Sequence, residues 1–180
     1  ISIDTIIKNI CEDYNLVHRL DKETSGLMII AKNLKYTRLF GKLFKSQKLK
    51  KTYLAICDGM PKLKESYVDL NIKNTSDKVI KTQTFYKILS YNNKTSLIKF
   101  EPQTGKKHQL RIVAKNLGCP IVGDIKYNLN SNKQKENLKL NAFMLEFDIE
   151  DNQFKITSSI PKDFTDYLKF KDIKFNSKII

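Results

Sequence analysis

Apolar positions recur along this chain with two periods, helical and strand-like, and they divide it into elements. Ile3, Ile6, Ile7 and Ile10 lie at helical spacing behind a capping Ser2, which predicts a helix over 2–12. The run LMIIA at 27–31 predicts a short buried strand. Asn33 is placed to cap a second helix that turns Leu39, Phe40, Leu43 and Phe44 inward. KKTYLAICDG reads as a strand closed by Gly59 and Pro61, and YVDLNI as another. TQTFYKILSY and TSLIKFE flank NNK, which predicts a hairpin with an Asn-rich turn. GKKHQLRIVAKNLG predicts a helix with Leu110, Val113, Ala114 and Leu117 as its apolar stripe and Gly118 as its stop. AFMLEFDI alternates, placing Phe143, Leu145, Phe147 and Ile149 on one face. A turn at Asp151-Asn152 leads into FKITSSI, and Pro161 opens a last helix to about Phe170. The polar stretch 128–139 predicts a mobile loop. Helices and strands are interspersed without a βαβ repeat, so the class is α+β, with antiparallel pairs dominating.

Composition narrows the chemistry. At 180 residues, 41% of them hydrophobic, the chain can build one sizeable core. No apolar run reaches the roughly 20 residues of a membrane helix, and the acidic start ISIDTIIKNICEDYN has no signal-peptide character. A net charge of +14 favours a polyanionic partner, nucleic acid before membrane, although lysine drift in an A/T-rich genome gives the same balance. Cys11, Cys57 and Cys119 share no CxxC spacing, which fits a reducing, cytoplasmic setting. With His18 and His108 the only histidines, no metal site is expected. The absence of GxGxxG and P-loop patterns predicts no cofactor.

The polar residues cluster in VHRLDKETSG, at the mouth of the LMIIA run. Of 33 basic residues only Arg19, Arg38 and Arg111 are arginines, and arginine alone offers a planar fork to carboxylate or phosphate. Singly, each polar residue has an ordinary reading. Asp21 is a turn former, Gly26 a bend, His18 a structural histidine, Tyr53 a core residue with a wet hydroxyl. TGKKHQ is either a solvated helix start or a phosphate clamp.

Their order along the chain adds more. VHRLDKETSGLMIIAKN, KKTYLAICDG, TFYKIL and FEPQTGKKHQLRIVAKNLGCPIVGDIKY occur in series, and that series closely resembles the RluA-type pseudouridine synthases over about residues 14–160. The resemblance implies the pseudouridine synthase core: a mixed, mostly antiparallel sheet with flanking helices and a central cleft. It also implies isomerisation of a uridine in RNA, without redox, hydrolysis, cofactor or metal. By the same resemblance Asp21 is the catalytic aspartate, attacking C1′ or taking the C2′ proton. Arg111 is the base that pairs with it, and Tyr53 lies against the target uracil. Leu110 packs in that pocket, and Arg19 enters the RNA stack when the uridine flips out. His18, Thr24 and Gly26 shape the loop presenting Asp21. Lys106, Lys107, His108 and Gln109 belong to the RNA-binding segment. The implied partner is ribosomal large-subunit RNA, or transfer RNA, bound by a monomer.

The sequence departs from the family pattern at three places: HQLRIVA where HQLRVH is usual, TGK for TGR, and LNA, with Asn141, for LHA. It also opens at the helix before the first motif, where the family has an upstream strand and often an S4-type RNA-binding domain. Residues 1–180 are therefore expected to form one catalytic domain lacking that strand, with a bare sheet edge. The competing expectations are an inactive RNA-binding module and a carboxylate-pair glycosidase using Asp21 with Glu23.

Overall fold

Two capped helices and a run of paired strands order the chain in a computed structural model, which describes residues 2–73, 76–129 and 136–175. Helix α1 (Ile3–Ile10) starts at Ser2, whose hydroxyl accepts the Thr5 N–H. Its isoleucine stripe is only partly covered: Ile7 is buried, while Ile3, Ile6 and Ile10 are exposed. Helix α2 (Leu34–Lys45) is capped by the Asn33 side chain, which accepts the Tyr36 N–H, and buries Phe40 and Leu43.

Between these helices the expected strand 27–31 does not form as such. Strand β1 (Asn15–Leu16) pairs with β3 (Ile30–Ala31) in a small antiparallel ribbon. β2 (Ser25–Gly26) leaves it and joins the main sheet. A short apolar run cannot reveal that only its last two residues, Ile30 and Ala31, enter a strand.

The main sheet adds β4 (Lys50–Asp58), β5 (Glu65–Lys73), β6 (Val79–Tyr91), β7 (Thr95–Pro102), β8 (Leu140–Ile149) and β9 (Asn152–Thr157). Its order is β2-β8-β4-β7-β6-β5, with β9 also on β8. Among the described residues β2 with β8 is its one parallel pairing. Asn92 makes the predicted hairpin turn, its side-chain oxygen accepting the N–H groups of Lys94 and Thr95. The β8–β9 turn falls one residue earlier than expected, on Glu150 and Asp151, both at positive φ. Outside the described residues lie 130–135, the middle of the predicted polar loop; its ends, Asn128 and Lys139, are buried.

Helices α3 (Gln109–Asn116) and α4 (Lys162–Phe170) cover opposite faces of the sheet. Alternation along β4 distributes its side chains between them. Ala55 and Cys57 pack with Leu110, Val113 and Ala114 of α3, while Leu54 and Ile56 pack with Phe164 and Leu168 of α4. A third cluster sets Phe40 and Leu43 of α2 on Leu145 and Phe147 of β8. Each buried Leu, Ile, Val or Phe among them contributes about 1.5–3 kcal/mol before entropy.

The predicted face of Phe143, Leu145, Phe147 and Ile149 is broken at its first member. Thr52 pairs with Met144 but Tyr53 with Ala142, so Phe143 is an extra residue in a β-bulge. It joins the α4 cluster, and Leu145 and Phe147 the α2 cluster. The same bulge sits beside Tyr53, at the cleft described next.

Candidate active site

The cleft opens on the α3 face of the sheet. It has a volume of about 860 Å³ and is bounded by the 17–24 loop, the start of β4, the 102–108 loop and the turn after α3. Lys51 and Tyr53 share a face of β4 with Ala55 and Cys57, so strand alternation aims them into it. Its lining holds seven cationic side chains, Arg19, Lys45, Lys51, Lys73, Lys106, Lys107 and Lys126, against one carboxylate, Asp21, among the described residues.

The loop presenting Asp21 is held at both ends. The Asp21 carbonyl accepts the Thr24 N–H at 2.9 Å, closing a turn. The His18 Nε2 accepts the Ile29 N–H at 2.8 Å, and its ring packs on Phe44. Burial and the nearby Lys51 charge depress the His18 pKa to about 4, so the acceptor nitrogen stays free at neutral pH. Gly26 sits at φ +107°, and a Cβ there would lie 2.3 Å from the Ala142 carbonyl oxygen. Glycine is required both by that angle and by the contact. Beside it the Asn141 side chain donates to the Ser25 hydroxyl and accepts from Ser158, so this departure from the family pattern braces the loop.

Among the described residues Asp21 meets no cation at hydrogen-bond distance. Its nearest basic atom is the His108 Nε2, 4.0 Å from Oδ1. Arg111, expected to pair with Asp21, directs its fork elsewhere. Its Nε and one terminal nitrogen donate to the two oxygens of Asp124, both at 2.7 Å. The backbone N–H groups of Lys126 and Tyr127 also donate to Asp124, and this bonding together with the Arg111 charge holds its carboxyl below the usual range despite burial. Arg111 acts on Asp21 through space, and Asp21 in turn favours the charged guanidinium. The cause is geometric: Asp124 follows α3 closely enough to take a bidentate fork, which helix spacing does not disclose.

Tyr53 lines the cleft, and burial first, then the Asp21 charge, pushes its phenol up to about 12. Leu110 lies in the same wall. Arg19, Lys106 and Lys107 are exposed at the mouth. The Thr24 hydroxyl is buried without a partner among the described residues. Gln109 lines the cleft, but its amide is spent inside the protein. Its oxygen accepts from Thr104 and the Lys106 N–H, and its nitrogen donates to Gln83 and Thr84. It therefore braces the 103–108 loop. His108 takes a left-handed backbone, φ 56°, and its Nδ1 lies 3.0 Å from the Tyr127 hydroxyl. Tyr127, Asp124, Lys51 and Lys126 had been given no role by sequence reasoning. The GDIKY motif carries three of them, and strand alternation from Tyr53 would have found Lys51.

No group of three or more metal-ligating side chains occurs among the described residues, nor does a helix long and apolar enough to cross a membrane. Glu23 is exposed and outside the cleft lining, so no second carboxylate faces Asp21 there.

Sheet, flanking helices and a basic cleft around a single aspartate define a class that comparison with known proteins makes specific. The chain belongs to the RNA pseudouridylate synthase family, whose model matches residues 10–116. It is 33% identical over 183 residues to an uncharacterized RNA pseudouridine synthase of Zymomonas mobilis, covering 92% of this chain and 84% of that one. It is 42% identical over 142 residues to ribosomal large subunit pseudouridine synthase C of Rickettsia bellii, covering 71% of this chain. The matched part is 47% of the Rickettsia protein, so the chain spans about half the length of that relative. In fold it resembles human RNA pseudouridylate synthase domain containing 4, with TM-score 0.81 at 24% identity over 97% of this chain and 84% of that one.

Proposed function

We propose that residues 1–180 form one catalytic domain that isomerises uridine in RNA to pseudouridine, with large-subunit ribosomal RNA as the substrate, in the cytoplasm. One observation carries this reading: a lone carboxylate in a cleft lined by seven cations. Such a wall attracts a phosphate backbone, and its single acid leaves one group to act at the sugar. A glycosidase would need a second carboxylate across the cleft.

The uridine enters unstacked, at a cost of a few kcal/mol, and exposed Arg19 fills the gap it leaves. Ionised Asp21 acts at the ribose, as nucleophile on C1′ or base on the C2′ proton. The N1–C1′ bond breaks, the uracil turns, C5 bonds to C1′, and the C5 proton is lost while N1 gains one. Tyr53 lies against the ring as a neutral phenol. With its pKa near 12 it moves a proton only by releasing its own as it takes another. Thr24 offers an unspent hydroxyl in the wall. Arg111 holds Asp124 and lends Asp21 a positive field.

The test is to incubate the chain with ribosomal and transfer RNA and count pseudouridine. Formation by the wild type and none by Asp21→Asn, with RNA binding retained, is expected. Product at wild-type level from Asp21→Asn sinks the reading, and binding without product in both proteins favours an RNA-binding module.

A further inference from the structure

We propose that His108, oriented by Tyr127, is the positioning residue of Asp21: a neutral imidazole that turns its Nε2–H towards the carboxylate. The inference rests on the reading of Asp21 as the reactive group and deepens it.

Three observations on one residue carry it. His108 occupies the position before α3 with a left-handed backbone and makes no side-chain capping bond, so its ring is not spent on the helix end. Non-glycine residues rarely take that conformation, and when they do it is often at functional sites. Its ring instead spans two groups, Asp21 Oδ1 at 4.0 Å from Nε2 and the Tyr127 hydroxyl at 3.0 Å from Nδ1. Finally, Arg111, the alternative partner, is committed to Asp124 through two short bonds. That leaves His108 as the one basic side chain within 4.0 Å of Asp21 among the described residues.

The chemistry fixes the tautomer. A carboxylate faces Nε2, which favours a proton there, and Nδ1 is then an acceptor for the Tyr127 O–H. Tyr127 stands edge-on to the imidazole, with ring centroids 5.6 Å apart, and under the Arg111 guanidinium at 5.2 Å. The ring is thus fixed by packing as well as by its hydroxyl. The groups acting on His108 are Asp21 from the first loop, Lys126 from the turn after α3, Lys107 beside it and Arg111 one turn along its helix. Burial and the three cations disfavour imidazolium, and Asp21 favours it. A neutral donor holds the Asp21 carboxylate in place without discharging it, so the acid stays free to act at the sugar. The 4.0 Å gap exceeds a hydrogen bond, and such contacts tighten in the substrate complex.

Two measurements on the full chain decide the matter. The protein has two histidines, so nitrogen-15 NMR reads each directly. His108 is expected as the Nε2–H tautomer, and Asp21→Asn is expected to move its titration to lower pH while leaving that of His18 in place. A Nδ1–H tautomer, or a His108 titration unmoved by Asp21→Asn, overturns the inference whether or not the chain makes pseudouridine. In single-turnover assays His108→Asn keeps a residue that accepts the left-handed backbone but cannot reach Asp21. It should slow conversion at saturating RNA about 10- to 100-fold, as loss of an orienting partner does. Tyr127→Phe, which removes only the hydroxyl, should slow it about threefold to tenfold. Wild-type conversion by His108→Asn also overturns the inference. A wild type that makes no pseudouridine counts against the function proposed above, and the NMR result then decides this one alone.

Discussion

Two aspartates flank helix α3, and they have opposite environments. Asp124 is sealed: its oxygens accept two bonds from Arg111 and two from backbone N–H groups, and the residue is fully buried. Asp21 is partly open, its side chain 18% exposed, with no hydrogen bond to its carboxylate among the described residues. A carboxylate with both oxygens engaged is a fastener, since any chemistry on it would break the bonds that hold it. A carboxylate held by its backbone and left unspent at its oxygens is a reagent. The comparison shows why the first and last of the four segments share one cleft: the first presents Asp21, and the last supplies both members of the fastened pair behind it.

The largest expected effect breaks the comparison at Asp21. Asp21→Asn should lower pseudouridine formation by about 10²–10⁴-fold or more, the range for losing an acid–base group. Its melting temperature should stay close to wild type, because no folded-state hydrogen bond to its carboxylate is lost. Asp124→Asn should do the reverse in kind. It leaves the Arg111 charge buried without its partner, and removing one member of a buried pair costs about 3–5 kcal/mol. Urea unfolding followed by circular dichroism reads that loss. If Asp21→Asn proves the less stable of the two, the assignment of fastener and reagent is wrong.

A smaller effect tests how far the backbone at Gly26 fixes the loop that carries Asp21. Gly26→Ala places a methyl group against the Ala142 carbonyl at a positive φ. Strain and overpacking together should cost about 2–4 kcal/mol, and the loop must shift to relieve them. Activity should fall by more than stability alone explains. That is checked by assaying the variant well below its unfolding temperature, where a wild-type rate would show that the loop tolerates displacement.

The parts of this structure that were legible in the sequence are those decided within a few residues. Ser2 and Asn33 cap their helices through their own side-chain oxygens, and Asn92 turns its hairpin by bonding the next two N–H groups but one. What stayed hidden depends on partners far along the chain. Phe143 leaves its alternating face because β4 and β8 slip by one residue, a fact of registry between strands some ninety positions apart. Leu27 to Ile29 lie outside any strand because β2 crosses to β8, which lies beyond residue 139. The site divides the same way. Asp21, Tyr53 and Arg19 reach the cleft as their motifs implied, but motif spacing cannot say where a long fork ends, and Arg111 ends on Asp124. Gln109 is likewise a cleft residue by position and a brace by bonding.

The subtlest test of the two carboxylates comes from acid. His18 anchors the Asp21 loop as a neutral acceptor, and its pKa is depressed from 6.5 to about 4. A base that is harder to protonate when folded favours the native state above its unfolded pKa. As pH falls below 6.5 the unfolded chain binds the proton first, so stability declines down to about pH 4, where the folded protein also takes it up. Asp124 has the same sign in a lower window: its folded pKa lies below 3.8, so its contribution persists throughout the range above and is lost only in stronger acid. Between about pH 7 and pH 5, therefore, the urea midpoint should fall because of histidine, with the Arg111–Asp124 pair intact. His18→Gln, whose side-chain oxygen can still accept the Ile29 N–H, should flatten most of that slope. A residual slope is expected from His108, which is also harder to protonate in the folded protein. An unchanged slope in His18→Gln would mean that the Asp21 loop is not anchored through this ring.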